Sequence, residues 1–377
     1  MNDTLQASVA VAPKFQYVDA LRGIAILLVI LVHTGGRTPE GLPFEAISTY
    51  GQYGVQLFFV MSAFTLCHSA ARMNTLSKPG YLSFMSRRFF RIAPLYYVGI
   101  VFYFCFAWAS LRFAGQTPFT EPDGYSTLGV ISNFLLIHGL VPSGNSNIVP
   151  GGWSIGCEFL FYAAFPFIFM HVRNNSRALA YYVIPAFLGA VLIHLWSSRT
   201  QGMDTGMNTF AYFSVFNQFP CFALGILYYL HRSEAGFRRF FIFALPPAVA
   251  GIAVIHHWDN GWYLTPALAG IASVGLAVIL EKASIPFLLQ KIGQLSYSMY
   301  LWHFAVVWTV GYLFKRLFPQ GDAMSLVLYF VIIAITTAIA MISNQLIERP
   351  GIAVGSSVAN SLRSSRCDTA SERIDPT

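Results

Sequence analysis

Two ionisable residues, Arg22 and His33, lie near the ends of the apolar stretch "YVDALRGIAILLVILVHTGG" at residues 17–36. An ionisable group inside a membrane-spanning segment costs about 2.5–3.5 kcal/mol on insertion scales, so it needs a reason. In a helix, their separation puts the two side chains about 16 Å apart along the axis and within about 20° of one face. Since a neutral imidazole can accept a hydroxyl proton near pH 7, the pattern predicts a shared interior cavity with a base. In the simpler alternative, Arg22 extends to the membrane surface and His33 caps the helix.

A pair of arginines occurs in "SRRFFRIAP", residues 86–94. Arg88 and Arg91 lie one turn apart, and therefore on one side of a helix. Paired guanidinium groups suit a phosphate-bearing ligand. Anchoring at a cytoplasmic membrane surface also explains Arg87 and Arg88, whereas Arg91 leads into an apolar run.

A carboxylate lies deep in the apolar stretch "PGGWSIGCEFLFYAAFP", residues 150–166. Ser154, Glu158 and Tyr162 recur every four residues and are predicted to share one helix face. Two interpretations of Glu158 remain open at this point. It either belongs to a functional cavity or forms a structural ion pair with an arginine such as Arg22.

A second histidine ends the stretch "GQLSYSMYLWH", residues 293–303. Ser296, Tyr300 and His303 are predicted to lie along one helix face. A lone histidine here is more often a core residue, but several polar helix faces that converge in a bundle favour a site. The other histidines lie near loops or the ends of apolar runs, and we assign no function to them: His68, His138, His171, His194, His231, His256 and His257.

Small residues mark the stretch "GVQLFFVMSAF" at residues 54–64. Gly54, Ser62 and Ala63 are of the kind that permits close approach of helices in a membrane. We therefore interpret these three residues as packing residues.

The composition indicates an integral membrane protein. Of 377 residues, 55% are hydrophobic and 10% are charged, whereas soluble domains carry about 25% charged residues. The apolar runs are about 20 residues long without an alternating strand pattern, which predicts an all-α polytopic membrane protein. We expect about ten transmembrane helices, at roughly 18–36, 50–71, 92–114, 151–170, 178–197, 208–230, 239–256, 262–280, 296–314 and 324–347.

Loop charges predict how these helices cross the membrane. Lys and Arg gather at 72–91, 171–177, 231–239 and 282–291, which places these loops and both termini in the cytoplasm. Lys315 and Arg316 are exceptions. An eleventh, shorter run at 127–142 would break the even number of crossings, so we predict a re-entrant segment there.

Three regions follow from this scheme. Residues 1–14 lack the features of a cleaved signal peptide and are predicted to be a cytoplasmic tail. Residues 15–350 form the transmembrane domain. Residues 351–377 are polar and rich in Ser and Arg, and are predicted to be a disordered cytoplasmic tail.

Other classes of function are disfavoured. The net charge of +7 is explained by cytoplasmic loops and gives no reason to expect nucleic acid. The cysteines lack paired spacing, so neither disulfides nor a metal site is expected; they are Cys67, Cys105, Cys157, Cys221 and Cys367.

Taken in order, six motifs resemble the acyltransferase 3 family of membrane-bound acyltransferases, which includes O-antigen acetylases and related enzymes. They are "RGIAILLVILVH", "GVQLFFVMSAF", "RRFFRIAP", "GGWSIGCEFLFY", "SYSMYLWH" and "IERP", within about residues 15–350. One departure is Ala63, where the family usually has Gly.

The resemblance implies an activity and its residues. Arg22 and His33 match an Arg and a His that the family associates with activity, and Arg88 and Arg91 match a motif linked to acyl-coenzyme A. The implied reaction moves an acyl group, acetyl or succinyl, from acyl-coenzyme A to a carbohydrate hydroxyl at the bacterial inner membrane. His33 would be the base or an acylated intermediate.

Finer roles and partners follow from the same resemblance. Arg22, Glu158 and His303 would position ligands, orient the base or support charge. The carbohydrate or lipid-linked glycan acceptor lies in or near membrane lipid, and a separate periplasmic protein could complete the transfer. A secondary transporter of a small polar solute is the main alternative, although the related halves with interrupted helices expected of it are not seen. A scaffold with only structural ion pairs is a third.

Overall fold

The computed structural model describes residues 15–71, 77–115, 125–145, 148–200, 210–256 and 262–371. The predicted tail at 1–14 lies outside them. Within the described ranges the chain is helical and contains no strand. The α-helices are α1 Gln16–Gly35, α2 Pro43–Ser48, α3 Gly54–Ala70, α4 Lys78–Ala114, α5 Thr127–Phe134, α6 Gly152–Val172, α7 Ala180–Thr200, α8 Phe210–Phe213, α9 Val215–His231, α10 Ala235–His256, α11 Thr265–Leu280, α12 Phe287–Gln294, α13 Ser296–Leu317, α14 Asp322–Ser343 and α15 Arg349–Ser371.

The helices confirm an all-α polytopic membrane protein. Each of the ten predicted runs contains a helix. By length and composition, eight helical segments among the described residues are long and apolar enough to cross a membrane. The other two runs form α11, which is apolar but only 16 residues long, and α13, which has 22 residues.

Helix α1, which carries Arg22 and His33, packs against α3, α12, α13 and α14. Gly293 of α12 lies so close to α1 that an added Cβ would come 1.7 Å from the carbonyl oxygen of Asp19. Only a glycine permits this approach. The Gln294 side-chain amide also donates to the Asp19 carboxylate at 2.9 Å. These contacts fix the start of α1, and with it the position of Arg22.

Helix α4 carries the arginine pair. Its 37 residues correspond to about 55 Å, more than a hydrocarbon core of about 30 Å. The hydroxyl of Ser77 caps its first turn by accepting from the Gly80 amide at 3.2 Å. The basic segment is therefore helical from Lys78 onward and continuous with the apolar span.

The prediction of a disordered tail from residue 351 is wrong as far as Ser371, because Arg349–Ser371 form α15. This helix packs along α4. Added Cβ atoms at Gly351 and Gly355 would each come 2.6 Å from atoms of Phe90 on α4, and Arg87 donates to Asn360 at 2.8 Å. Polar, small residues suggested an unpacked chain, but here the small residues allow two helices to approach closely. Residues 372–377 lie outside the described part.

The run at 127–142 is too short to span a membrane, as predicted. Its helix α5 has eight residues, about 12 Å of rise. Tyr96 donates to the Asn133 side chain at 2.7 Å, and Nε2 of His138 donates to the Gly152 carbonyl at 2.8 Å. His138, which was assigned no function above, is fully buried and connects this segment to the start of α6.

Candidate active site

Five helices, α1, α3, α4, α6 and α13, line a cavity of about 710 Å³, part of which is continuous with open solvent. Four of the six predicted site residues line it: Arg22, Arg88, Arg91 and Glu158. The other polar lining residues are Ser62, Thr65, Ser154, Tyr162, Ser296, Tyr297 and Tyr300. The structure thus brings residues from distant parts of the sequence into one polar space inside an apolar bundle.

Three guanidinium groups give the cavity a positive wall. The side chains of Arg22, Arg88 and Arg91 form no hydrogen bond or ion pair with any residue in the described ranges. Nε of Arg88 is buried and has no hydrogen-bond partner in the described part of the chain. Its guanidinium lies 5.5 Å from the ring centroid of Phe84 and 5.7 Å from that of Tyr162. Buried donors without partners are costly, so this wall is suited to an anionic ligand such as a phosphate.

The predicted common face of Arg88 and Arg91 is confirmed, since both line the cavity. The adjacent Arg87 lies on the other side of α4, where it contacts Ser356 and Asn360 of α15. The three arginines of this segment are therefore divided between the cavity and the packing of α15.

Glu158 accepts hydrogen bonds rather than forming an ion pair at contact distance. The hydroxyls of Ser62 and Tyr162 both donate to its Oε1 at 2.5 Å. No basic group of the described residues lies within 4.0 Å of the carboxylate, although Arg22 lies within range of its electrostatic field. Ser62 thus has a second role that the small-residue pattern did not indicate, because its hydroxyl orients the carboxylate.

A second buried carboxylate, Glu348, was missed by sequence reasoning. Its side chain is 3% exposed and accepts from Ser298 at 2.7 Å and Asn344 at 2.9 Å. It lies in a π-helical turn, Asn344–Glu348, between α14 and α15, a feature that is frequent at functional sites. Glu348 also lies in the electrostatic range of Arg22, so two carboxylates balance part of the positive charge.

His33 and His303 form a pair away from the lining of this cavity. Their ring centroids are 5.2 Å apart, and the ring of Phe304 packs against both, at 4.3 and 4.1 Å. Nδ1 of His303 lies 2.6 Å from the Tyr300 carbonyl oxygen. Because a carbonyl only accepts, Nδ1 carries the proton, and Nε2 of the neutral ring is an acceptor. That Nε2 is buried and has no partner among the described residues.

The prediction of one open channel along the shared face of α1 is wrong. The cavity is lined by Arg22 but not by His33. Ala25 and Val29, which lie between them on that face, are 0% and 2% exposed. Helix α3 closes this stretch, since a Cβ on its Gly54 would come 2.4 Å from the Ala25 carbonyl oxygen.

Tyr300 forms the wall between the cavity and the histidine pair. Its hydroxyl lines the cavity side, where it accepts from Ser154 at 2.8 Å and donates to the Gly151 carbonyl at 3.0 Å. Its ring centroid is 5.6 Å from that of His303. Because α13 runs beside α1, its successive turns present Tyr300 to the cavity and His303 to His33.

Gly151 is the position at which a small change should disturb this wall. Its φ is +71°, and an added Cβ would come 2.8 Å from the Phe304 ring and 3.0 Å from the Tyr300 hydroxyl. We expect Gly151→Ala to lower the free energy of unfolding by more than the left-handed backbone penalty of about 1–2 kcal/mol, and therefore to lower the Tm. Gly115→Ala is the matched control, because Gly115 has φ +69° and open space around its Cβ. Equal decreases in Tm, measured in detergent, would contradict the packing described.

Known proteins resemble this chain at the level of sequence. A model of the acyltransferase 3 family, described as an acyltransferase domain, matches residues 15–344. The O-acetyltransferase OatA of Staphylococcus aureus is 24% identical over 88% of this chain. BcsY of Komagataeibacter xylinus, whose name describes a membrane-bound transacylase, is 24% identical over 89% of this chain and 82% of its own length. The acyltransferase MdmB of Streptomyces mycarofaciens is 30% identical over 41% of this chain.

The extent of these matches differs. The chain spans 56% of the length of OatA and 39% of that of MdmB. No solved structure matches the chain. The family pattern, however, covers nearly the whole described bundle and includes every predicted site residue. This chain is therefore a multi-pass membrane protein that belongs to the acyltransferase 3 family.

Proposed function

We propose that this protein is an O-acyltransferase that moves an acyl group, most simply acetyl, from acyl-coenzyme A to a hydroxyl of a cell-surface or exported carbohydrate. The observation that carries the proposal is the cavity with three guanidinium groups that have no partner among the described residues, closed at one side by Tyr300 next to the His33–His303 pair. Such a site offers charge for an anionic donor and imidazole for a hydroxyl.

The donor enters from the cytoplasm in this proposal. The protein lies in the inner membrane with both termini inside, because the Lys- and Arg-rich loops then face the cytoplasm. Arg88 and Arg91 bind the phosphates of coenzyme A at the entrance, and the flexible pantetheine arm extends past Arg22. The thioester then approaches Tyr300 and Ser154 at the inner wall.

His33 acts as the base in the transfer. The acceptor oxygen forms a bond to the thioester carbonyl carbon while its proton passes to His33. The carbon–sulfur bond breaks, and the coenzyme A thiolate leaves and takes up that proton. Arg22 positions the donor along the pantetheine arm, because about 16 Å along α1 separate it from His33. His303 lies beside His33, and its Nε2 is an acceptor. In this proposal, His303 positions the imidazole ring of His33.

The names of the relatives support this class of reaction. OatA is named an O-acetyltransferase, and BcsY and MdmB are named for acyl transfer. The proposal includes a separate periplasmic protein that receives the acyl group and completes the transfer.

Radiolabelled acetyl-coenzyme A, added to membranes that contain or lack the protein, tests the proposal. We expect label in lipid-linked or polymeric glycan only when the protein is present. Mass spectrometry of the glycans then identifies the acyl group. Uptake of a small polar solute without any acylated product would instead favour a transporter and contradict the proposal.

A further inference from the structure

Arg37, which has no acidic partner among the residues that the structure describes, lies one turn beyond His33. Arg37 is partly buried, and its guanidinium stacks over the ring of Trp308 at 4.1 Å from the centroid. Its side chain also passes Gly311, where an added Cβ would come 3.2 Å from Cγ of Arg37. Helices α1 and α13 thus hold this guanidinium in a defined place.

The charge of Arg37 has no counterpart in the described chain. No carboxylate of the described residues lies within 4.0 Å of it, and its side chain forms no hydrogen bond with them. The Asp322 carboxylate accepts from the Phe44 amide at 2.9 Å, and Glu40 is exposed. A cation following α1 is favoured by the helix dipole, but the guanidinium donors do not bond the last carbonyls of α1.

Stacking on Trp308 leaves the edge of the guanidinium free. An arginine held by its face against an aromatic ring keeps its N–H groups directed outward in one plane, the geometry that binds carboxylate or phosphate through two hydrogen bonds. Arg37 also lies within the electrostatic range of His33. Arg37 is therefore close enough to His33 for its charge to act there.

We infer that Arg37 and Trp308 form an acceptor subsite that binds an anionic group, a carboxylate or phosphate, on the glycan whose hydroxyl is presented to His33. This inference rests on the proposed function, because it takes His33 as the point of transfer. It adds that the acceptor is selected by its charge as well as by its hydroxyl.

Binding of simple probes, measured without acyl-coenzyme A, tests the subsite separately from catalysis. The probes are decyl β-glucuronide, decyl β-glucoside and decyl phosphate, bound to the protein in nanodiscs of neutral lipid. We expect the glucuronide to bind about tenfold more tightly than the neutral glucoside, given a charge-assisted pair at a partly exposed site. Tight binding of decyl phosphate that depends on Arg37 would identify a phosphate as a second accepted anion.

Two variants define the result. Arg37→Gln should remove the preference for the glucuronide, and Arg37→Lys should keep a weaker one. Arg316→Gln is the matched control. The guanidinium of Arg316 also lies over an aromatic ring, that of Tyr312, at 4.3 Å from the centroid, but Arg316 is exposed. The inference would be overturned if the wild-type protein bound the two sugars equally or bound neither. It would also be overturned if the preference for the glucuronide survived Arg37→Gln or was lost equally in Arg316→Gln. If the wild-type protein bound the glucuronide preferentially but transferred no acyl group, the proposed function would be contradicted and the subsite would stand.

Discussion

Replacing His33 with Ala is expected to lower the rate of acyl transfer by about 10²–10⁴-fold, the usual contribution of a general base. The variant leaves the three arginines of the cavity in place, so donor binding should change little. Loss of rate with an unchanged KM for acyl-coenzyme A is the pattern expected of a group that acts only in the transition state. The measurement is the initial rate of label transfer over a range of donor concentrations.

His231→Ala provides the control for this experiment. His231 lies at the end of α9 and contacts Glu234 at 2.7 Å, remote from the cavity lining, so its replacement should leave the rate unchanged. Comparable Tm values for both variants would show that neither is simply unfolded. A His33→Ala protein with a normal rate would remove His33 from the chemistry.

Replacing Arg88 with Gln is expected to act on donor binding. A hydrogen bond to a charged group contributes about 1.5–3 kcal/mol, so kcat/KM for acyl-coenzyme A should decrease by roughly 10- to 150-fold, mainly through KM. The guanidinium lies over the ring of Tyr162, and its buried Nε has no partner within the described ranges. Its loss should therefore not break a structural contact with another charge. Steady-state kinetics with acetyl-coenzyme A measure the effect.

Arg87→Gln is the adjacent control on the same helix. Arg87 bonds Ser356 and Asn360 of α15, so its replacement should lower the Tm with little change in KM. If the two variants raised KM equally, a diffuse positive surface rather than the cavity wall would bind the donor.

Patterns within single helices predicted much of the site. A four-residue spacing placed Ser154, Glu158 and Tyr162 on one face, and all three line the cavity. The same holds for Arg88 and Arg91. These predictions succeed because helix periodicity depends only on local geometry. Apolar run length located the spanning helices for a similar reason, since every backbone polar group in lipid must be bonded within its own segment.

Contacts between helices could not be read in this way. The face of α1 between Arg22 and His33 looked continuous, but Gly54 of α3 packs against it and closes the space. Nothing in the α1 sequence indicates which partner covers it. Helix α15 was missed because its stability comes from packing on α4 rather than from apolar composition. The role of Tyr300 as the wall between the cavity and His303 depends on how α13 lies against α1 and α6.

The account rests most on the claim that the arginine-lined cavity receives the acyl donor and ends next to the histidine pair. An electron cryomicroscopy structure of the protein with a non-hydrolysable acyl-coenzyme A thioether tests this directly. We predict phosphate density at Arg88 and Arg91 and the acyl end against the Tyr300 hydroxyl, on the cavity side of that residue. Density for the donor outside the cavity lined by Arg22 and Glu158, or an acyl end directed away from Tyr300, would contradict the account.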